Sequence, residues 1–284
     1  MDIIDKKEIG LFTKIKDLAK EMNYPVYIVG GWVRDRLLKR PSKDIDFLLI
    51  GDGLKFAERL GVELGGVKVS LFKTFGTASI HYKDYELEFV GARKESYGSE
   101  SRNPMVESGT FEDDLDRRDF TINALAISLN EENFGEVIDR FGGLEDLDKK
   151  ILKTPLDPDI TYSDDPLRMM RAIRFASQLN FSIEEKSFAS IKNNASRIEI
   201  ISTERITDEM NKIILSKTPS IGFELLNKSG LLHYIFPEMI DLKGVEERNG
   251  IRHKDNFYHT LQVLDNLAKN SDDLWLRWAA ILHD

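Results

Sequence analysis

A buried strand that ends at a glycine pair, followed at once by a helix, is predicted near the start of this chain. The apolar run 26–29 stops at Gly30 and Gly31, and apolar residues then recur at helical spacing over 32–38. Glycine lets the backbone approach a phosphate closely, and the free amides at the start of a helix favour an anion. Arg34 would add a guanidinium beside the turn. The pattern therefore predicts a phosphate-binding turn.

Two aspartates follow this turn at the start of a second apolar strand, predicted over 45–50. Strand alternation sends Asp44 and Asp46 to one face, about 7 Å apart, while Ile45 points into the core. Two carboxylates so close repel each other unless divalent cations neutralise them, and magnesium prefers such oxygen ligands. A glycine pair after a strand is usually a plain turn, and two alternating aspartates are usually a solvated strand face. Together, they favour a two-metal phosphoryl-transfer site.

The segment GGWVRDRLLKRPSKDIDFLLIG, residues 30–51, resembles the opening motif of the class II tRNA nucleotidyltransferase and bacterial poly(A) polymerase family. Three later segments resemble further motifs of that family in the same order: RRDFTINA at 117–124, DDPLRMMRAIRF at 164–175 and ERITDEMNKII at 204–214. The resemblance implies a template-independent RNA nucleotidyltransferase that uses Mg²⁺ to add CMP and AMP, from CTP and ATP, to the 3′ end of tRNA. A-adding, CC-adding and poly(A)-adding activities of the same family stay open.

The resemblance also assigns catalytic carboxylates. The positions matching Asp44 and Asp46 hold two magnesium ions in the family, one at the 3′-hydroxyl of the RNA and one at the triphosphate. A third carboxylate is expected on a neighbouring strand, and alternation over residues 85–90 puts Glu86 and Glu88 on one face. We favour Glu88 from its position relative to the strand end, with Glu86 as the alternative.

A second group of residues is expected to contact the nucleotide's sugar. Arg118 and Asp119 precede the apolar residues 120–127, which we interpret as a helix that Asp119 could cap with its side chain. The family resemblance implies instead that Asp119 and Asn123 contact the ribose, with Arg118 also in the nucleotide site. Both interpretations are compatible if different residues serve each.

Base selection is expected further along the chain. Asp165 and Arg168 are three residues apart, so we expect them on one helix face, where an ion pair would contribute only about 0.2 to 0.5 kcal/mol. The resemblance implies that they hydrogen-bond the base edge, accepting cytosine and adenine and rejecting guanine and uracil. Asp164 stands where the family often has Glu, which leaves its role open. Arg171 and Arg174 complete the predicted nucleotide-binding set.

Composition limits the class of protein. A chain of 284 residues with 41% hydrophobic and 31% charged residues is typical of a globular protein with two or three compact units. Zero cysteines exclude disulfides, thiolate metal ligands and cysteine nucleophiles. No membrane-spanning run or secretory signal is apparent, so a cytoplasmic location is expected. Because the net charge is −9, RNA binding would depend on local basic surfaces such as Arg117 with Arg118, or the arginines of 168–174.

The order of helix and strand signals predicts an α+β fold. A polymerase-beta-type nucleotidyltransferase head with a mixed sheet is expected over 1–152, followed by a helical neck and body over 153–243. Within the head, strands over 77–82 and 85–90 should form a tight hairpin. The polar stretch 92–109 is interpreted as a mobile loop, with closure over substrate as one possible role.

The last segment, 244–284, resembles the start of an HD domain, a helical fold in which histidines and aspartates hold a metal ion. Its candidate ligands are His253, His259, His283 and Asp284. Because a final ligand would have to follow Asp284, we expect no functional metal site there and interpret the chain as a fragment. Two other functions stay open: an HD-type phosphohydrolase with a regulatory first half, and a silent nucleotide- or RNA-binding module. The sequence does not indicate an oligomeric state.

Overall fold

The computed structural model describes residues 3–74, 76–98, 101–244, 247–248, 251–252 and 255–283. The chain divides into two compact units, Met1–Lys149 and Lys150–Asp284. The first unit combines a mixed sheet with helices, and the second is mainly helical. The predicted α+β fold class is therefore confirmed.

The first unit is organised around a seven-stranded sheet. The strands of this unit are β1 (Val26–Val29), β2 (Asp44–Leu49), β3 (Val69–Phe72), β4 (Thr77–Tyr82), β5 (Tyr85–Gly91), β6 (Arg93–Gly98), β7 (Ser101–Ser108), β8 (Ala126–Ser128) and β9 (Val137–Ile138). The order across the large sheet is β3-β4-β5-β2-β1-β8-β9. Strands β2 and β5 are parallel, and the other neighbouring pairs are antiparallel. The predicted aspartates lie at the start of β2, and the predicted glycine turn follows the end of β1. Because β1 and β2 are antiparallel neighbours, the aspartates and the turn lie at the same edge of the sheet.

Helices of the first unit cover this sheet. They are α1 (Lys6–Met22), α2 (Gly31–Leu37), α3 (Gly53–Glu63), α4 (Phe111–Asp116) and α5 (Gly143–Lys149). Apolar side chains at helical spacing along α1 are buried. They meet an aromatic cluster in which Phe12 contacts Trp32 and Phe47 edge-on, at centroid distances of 5.8 and 6.1 Å, and Phe47 stacks on Phe89 at 4.8 Å. This core fixes β2 against α1 and α2.

The interpretation of 92–109 as a loop was wrong for most of its length. Strands β6 and β7 pair antiparallel from Arg93↔Ser108 to Gly98↔Ser101, with a register irregularity between Ser96 and Gly98. The polar composition did not indicate this hairpin, because its sequence lacks the alternating apolar residues typical of a strand. The two strands instead satisfy each other's backbone hydrogen-bonding groups.

The helix predicted over 120–127 was also wrong. A single 3-10 turn, Thr121–Asn123, is followed directly by β8. Strand β8 pairs with β1 through Tyr27↔Ser128 and Val29↔Ala126. A short apolar run that is buried on all sides has no distinguishing period, so the pattern was compatible with either structure.

The second unit contains most of the helices. They are α6 (Pro158–Asp164), α7 (Leu167–Leu179), α8 (Glu185–Asn194), α9 (Thr203–Ile214), α10 (Pro219–Ser229), α11 (Leu231–Ile235), α12 (Glu238–Asp241), α13 (Asn256–Ala268) and α14 (Leu274–Ile281). Two short strand pairs accompany them: β10 (Ile151–Leu152) with β11 (Ser182–Ile183), and β12 (Glu247–Arg248) with β13 (Ile251–Arg252). In the part of the chain that the structure describes, no helix has both the length and the apolar character needed to cross a membrane.

A buried arginine fastens α13 and α14 to the rest of the second unit. Arg277 is 1% exposed and donates to the carbonyls of Ile214 and Ser216, at 2.7 and 2.8 Å, where α9 ends. It also donates to the carbonyls of Ala268 and Ser271, at 3.2 and 2.9 Å, where α13 ends. Carbonyls at helix ends lack intrahelical partners, so one guanidinium serves two helix ends. Residues of the predicted third domain thus belong to the same compact unit as α9.

Candidate active site

The pairing of β2 with β5 places the four candidate carboxylates in two opposed pairs. In this parallel pair, Asp46 lies opposite Glu88 and Asp44 lies opposite Glu86. Neighbouring strands are about 4.8 Å apart, so side chains at paired positions on one face are close neighbours. The sheet therefore lines up acidic residues from two segments about 40 positions apart in the chain.

Burial and neighbouring charges shift the pKa values of Asp46 and Glu88. Burial raises the pKa of Asp46, the charge of Asp44 raises it further, and Arg118 partly offsets both. Burial also raises the pKa of Glu88, Asp46 adds to the rise, and Arg93 opposes it. A group of partly desolvated, mutually repelling carboxylates is stabilised by a cation placed among them.

The structure distinguishes the two candidates for the third carboxylate. Glu88 faces Asp46 closely enough for the charge of Asp46 to raise the pKa of Glu88, after the larger effect of burial. Glu86 is exposed, and its Oε1 lies 2.5 Å from Nδ1 of His81 on strand β4. The arrangement therefore favours Glu88 as the third carboxylate, and this assignment remains a proposal.

The glycine turn lies directly beside Asp46. Val29 is the register partner of Asp46, so Gly30 follows at the same edge of the sheet. Gly30 has φ +76° and ψ −134°, a conformation that residues with a Cβ rarely adopt. A Cβ on Gly30 would lie 2.9 Å from Nη1 of Arg118 and 3.6 Å from Oδ2 of Asp46. Only a glycine leaves the space between the turn and the carboxylate open.

A chain of hydrogen bonds connects the turn to the predicted ribose-contacting residues. Both carboxylate oxygens of Asp35 accept from Arg34, at 3.0 and 2.8 Å, and Nη1 of Arg34 donates to Oδ1 of Asn123 at 2.7 Å. Nδ2 of Asn123 donates to Oδ1 of Asp119 at 2.9 Å, and this same oxygen accepts the backbone N–H of Phe120. Asp119 therefore supports a 3-10 turn instead of capping the predicted helix.

Helix α5 braces that turn from the other side. Oγ1 of Thr121 donates to Oδ2 of Asp146 at 2.6 Å. A Cβ on Gly143 would lie 2.4 Å from the carbonyl oxygen of Thr121, so the close approach requires glycine. The predicted ribose-contacting residues are thus held on a rigid support.

An unpredicted residue, Asp114, holds the arginine pair. Its carboxylate is fully buried; Oδ2 accepts from Nη2 of Arg118 at 2.9 Å, and Oδ1 accepts from Nε of Arg117 at 2.9 Å. Burial alone would raise the pKa of Asp114, but the two guanidiniums outweigh it and hold the pKa below its usual range. Nη1 of Arg118 also donates to the carbonyl of Asn123 at 3.2 Å. The spacing of Asp114 three and four residues before the arginines was an available signal for this clamp.

The donor set fits a divalent metal that also binds substrate. Among the described residues, no three Asp, Glu, His or Cys side chains converge closely enough to enclose an ion by themselves. Asp44 and Asp46 would supply carboxylate oxygens, and phosphate and water oxygens would complete the coordination. That division is typical of magnesium, which keeps several waters and binds through one or two carboxylates plus phosphates.

A separate cavity of about 490 Å³ lies at the opposite end of β1 from the glycine turn. Lys20, Tyr27 and Asn130 are among its lining residues, and none of the predicted site residues is. Its size alone does not make it the site of chemistry, and Glu131 in its lining is paired with Lys20.

Comparisons with known proteins agree with this geometry. Residues 26–153 match the family described as poly A polymerase head domain, and 180–242 match the one described as probable RNA and SrmB-binding site of polymerase A. The chain is 31% identical to a tRNA nucleotidyltransferase whose crystal structure contains a primer tRNA and an incoming ATP analog. The two share a TM-score of 0.76 over 94% of this chain and 75% of that chain.

The chain belongs to the tRNA nucleotidyltransferase and poly(A) polymerase family. It is 35% identical to the A-adding tRNA nucleotidyltransferase of Geobacter sulfurreducens, over 90% of this chain and 28% of that protein. It is 36% identical to the multifunctional CCA protein of Haemophilus influenzae, over 91% of this chain and 62% of that protein. The chain thus spans less than two thirds of either curated relative. Nucleotidyltransferases of this family generally use a divalent metal.

The segment that resembles the family's nucleotide-selecting helix lies in the second unit and differs from its predicted form. Asp165 follows the end of α6 and precedes α7, so it does not share a helix face with Arg168. Its Oδ1 accepts the backbone N–H of Leu167 at 3.2 Å, and its Oδ2 lies 3.7 Å from Nη2 of Arg205. The break before Pro166 separates the two residues, because the position before a proline disfavours helix.

Arg168 instead lies near the residue whose role was left open. Burial raises the pKa of Asp164, and the charges of Arg168 and Arg197 oppose that rise. Nη1 of Arg168 also donates to the carbonyl of Thr161 at 3.5 Å. In this family member, an Asp at the first motif position contributes to the electrostatic environment of Arg168.

The remaining arginines of α7 are placed differently from each other. Arg174 is 7% exposed, and its Nη1 donates to Oε1 of Glu209 on α9 at 3.0 Å. Arg171 is half-buried and its guanidinium lies 5.4 Å from the ring of Phe175. Arg174 therefore has a structural contact inside the second unit, and its nucleotide-binding role remains a prediction.

Two of the four candidate HD-domain ligands are described. The rings of His259 and His283 lie 5.8 Å apart, and Nδ1 of His283 lies 2.8 Å from the carbonyl of Ala280. His253 and Asp284 lie outside the described residues. The HD-domain resemblance of this segment remains a prediction.

Proposed function

We propose that this chain carries the catalytic part of a template-independent RNA nucleotidyltransferase that transfers CMP and AMP, from CTP and ATP, to the 3′ end of tRNA. The observation that carries this proposal is the position of Asp46, which lies between Glu88 on β5 and the open space over Gly30. Solved relatives bound to tRNA, CTP or ATP support the substrate class. A cytoplasmic location is part of the proposal.

The proposal gives each residue near the turn a role in binding the triphosphate or the sugar. Gly30 and Gly31 would allow the triphosphate to approach the backbone, next to the carboxylates. Arg118 would supply positive charge toward the phosphates, and Asp119 with Asn123 would contact the ribose. Because Asp119 and Asn123 already bond to each other, they would present fixed acceptor and donor atoms to the sugar hydroxyls.

Asp44 and Asp46 would hold the divalent metal, which we propose to be Mg²⁺, and Glu88 would add negative charge beside them. When bound, the metal would lower the pKa of the attacking hydroxyl and neutralise charge on the triphosphate. The protein's own contribution is to line up these carboxylates on adjacent strands of one sheet. Their mutual repulsion in the absence of metal supports this assignment.

Asp165 and Arg168 would select the base in the second unit. An Asp acceptor and an Arg donor can pair with the amino group and ring nitrogen that cytosine and adenine share. The ion pair of Asp165 with Arg205 would hold its carboxylate in place for this contact. Replacing both Asp165 and Arg168 with alanine should raise GTP and UTP incorporation relative to CTP and ATP.

Incorporation assays would test the proposed function directly. The 284-residue chain would be incubated with Mg²⁺, each labelled nucleoside triphosphate, and tRNAs that lack one, two or three terminal nucleotides. We expect CMP and then AMP to be added, with near-complete loss in Asp44→Ala and Asp46→Ala and retained tRNA binding. Asp84→Ala, an exposed position in the β4–β5 turn, is the matched control. Incorporation of neither CMP nor AMP would contradict the proposal.

The same assay separates the narrower activities of the family. Addition of AMP only, to tRNA that already ends in CC, would assign the A-adding activity. Several similar relatives are named A-adding tRNA nucleotidyltransferases. Long AMP tracts would assign a poly(A) polymerase. An HD-type phosphohydrolase would instead show metal-dependent phosphatase activity that survives Asp44→Ala.

A further inference from the structure

Two carboxylates compete for one guanidinium in the first unit. Nη2 of Arg118 donates to Oδ2 of Asp114 at 2.9 Å, and its Nη1 donates to the carbonyl of Asn123 at 3.2 Å. The same guanidinium lies against the Gly30 turn, on the side where Asp46 lies. A Cβ on Gly30 would lie 2.9 Å from Nη1 of Arg118 and 3.6 Å from Oδ2 of Asp46, so the two groups flank the same small space, but the described hydrogen bonds of Arg118 go to the other partners.

The burial of Asp114 explains which carboxylate holds Arg118. Asp114 is 0% exposed, whereas Asp46 is only partly buried. A charge pair in the protein interior is screened less than one that water reaches, and Asp114 also accepts from Arg117. A buried carboxylate without its guanidinium would be costly, so Asp114 retains Arg118. The oxygens of Asp46 are therefore left for another cation.

We propose that Asp114 is a positioning residue of this site, which keeps the Arg118 guanidinium from closing onto Asp46 and so keeps Asp46 available to a divalent cation. This inference rests on the proposed function, in which Asp46 is a cation ligand. Asp114 acts through Arg118 and touches neither substrate nor metal. Its role is to keep the Arg118 guanidinium paired with its own carboxylate, so that the carboxylate of Asp46 can bind a metal ion.

Binding of Mn²⁺ to the nucleotide-free protein, followed by electron paramagnetic resonance, tests this inference without an activity readout. Asp114→Asn keeps the side-chain volume and one oxygen acceptor but removes the charge that holds Arg118. We expect Mn²⁺ affinity to fall about tenfold, because Arg118 would then pair with Asp46 at contact distance. Arg117→Met is the matched control: it removes the other guanidinium from the same carboxylate and should leave Mn²⁺ affinity within about twofold of the wild type.

A second replacement separates competition from simple loss of structure. If Arg118 blocks Asp46 in Asp114→Asn, the double variant Asp114→Asn with Arg118→Met should recover wild-type Mn²⁺ affinity. A purely structural role for Asp114 predicts that the double variant binds as weakly as Asp114→Asn, and that result would overturn the inference. If Asp114→Asn does not fold, Asp114→Ser takes its place in the single and the double variant, with the same expected loss and recovery of Mn²⁺ affinity; no recovery in the double variant would overturn the inference.

The same titration distinguishes this inference from the proposed function. Wild-type Mn²⁺ binding that persists unchanged in Asp46→Ala would contradict the proposed function. Binding that depends on Asp46 but is equal in wild type and Asp114→Asn would overturn the role of Asp114 and leave the proposed function standing.

Discussion

Individual residues of the first unit are under opposing demands of stability and function. Asp46 is partly desolvated, lies beside Asp44 and faces Glu88, and burial raises the pKa of both Asp46 and Glu88. Gly30 holds a backbone conformation that other residues avoid. Such local costs are tolerated where they create an opening for a ligand, and elsewhere the fold has to compensate for them.

Replacing Asp46 should stabilise the metal-free protein while removing metal binding. Because the folded-state pKa of Asp46 is raised, its ionised form disfavours folding above that pKa, and this cost disappears when pH falls and the carboxyl is protonated. Asp46→Asn should therefore raise the midpoint of thermal unfolding at pH 7.5 in EDTA, and the gain should shrink toward pH 4. Asp84→Asn, at an exposed turn, is the control, and an equal gain in both variants would contradict the argument.

Replacing Gly30 should damage both the fold and the site. Gly30→Ala places a methyl group 2.9 Å from Arg118 and forces alanine into φ +76°, which should cost about 1 to 3 kcal/mol in urea unfolding. Nucleotide binding, measured by calorimetry, should fall as well. Gly10→Ala is the matched control: Gly10 is an exposed position inside α1 with no atom near its Cβ, and the change should stabilise by about 0.5 to 1 kcal/mol.

At the scale of elements, the contact between α7 and α9 links two predicted motifs through a buried ion pair. Arg174 and Glu209 are 7% and 3% exposed, and Lys212 also donates to Glu209 at 3.2 Å. The arginine was predicted to bind nucleotide from its position in a basic motif. Its partner lies 35 residues away, so periodicity along α7 could not reveal it.

Removing Glu209 should therefore act on the stability of the second unit. Glu209→Ala removes the carboxylate that pairs with the buried Arg174 guanidinium, which should cost about 3 to 5 kcal/mol in urea unfolding. Glu204→Ala, at an exposed position on the same helix, should change stability by less than about 0.5 kcal/mol. Similar losses in the two variants would show that the buried ion pair has no special role.

Elements were predicted well where periodicity was long or glycine marked a turn. Strand β1, the turn at Gly30, helix α2 and the β4–β5 hairpin all occur close to their predicted positions. The errors were the polar hairpin β6–β7 and the apolar segment before β8. The β6–β7 hairpin is local but lacks the alternating apolar residues that mark a strand, whereas β8 pairs with β1 far away in the chain, which the local pattern does not encode.

At the scale of the whole molecule, the chain consists of two units that each have their own core. Arg277 illustrates how the second unit is assembled, since it binds carbonyls 61 and 63 residues earlier in the chain. Helices α13 and α14, in the segment that resembles the start of another domain, are thus fastened to α9.

Arg277→Met should loosen α13 and α14 while leaving the first unit intact. Several buried carbonyls would lose their donor, at about 1 to 3 kcal/mol for each group left unsatisfied. Hydrogen exchange should accelerate in α9, α13 and α14 but not in the sheet strands β1 and β2. Lys269→Met, at an exposed position after α13, is the control; faster exchange in β1 and β2 with Arg277→Met would contradict independent stability of the units.

The sequence by itself determined the family, the order of the motifs and most of the local elements. These depend on residue type and short-range spacing, such as Asp44 with Asp46 on alternate strand positions. Tertiary structure alone decided that Glu88 faces Asp46, that Asp165 pairs with Arg205, and that the Arg118 guanidinium lies beside the glycine turn. The physical reason is that strand register and burial choose each charged group's partner, and both are set by packing between segments far apart in the chain.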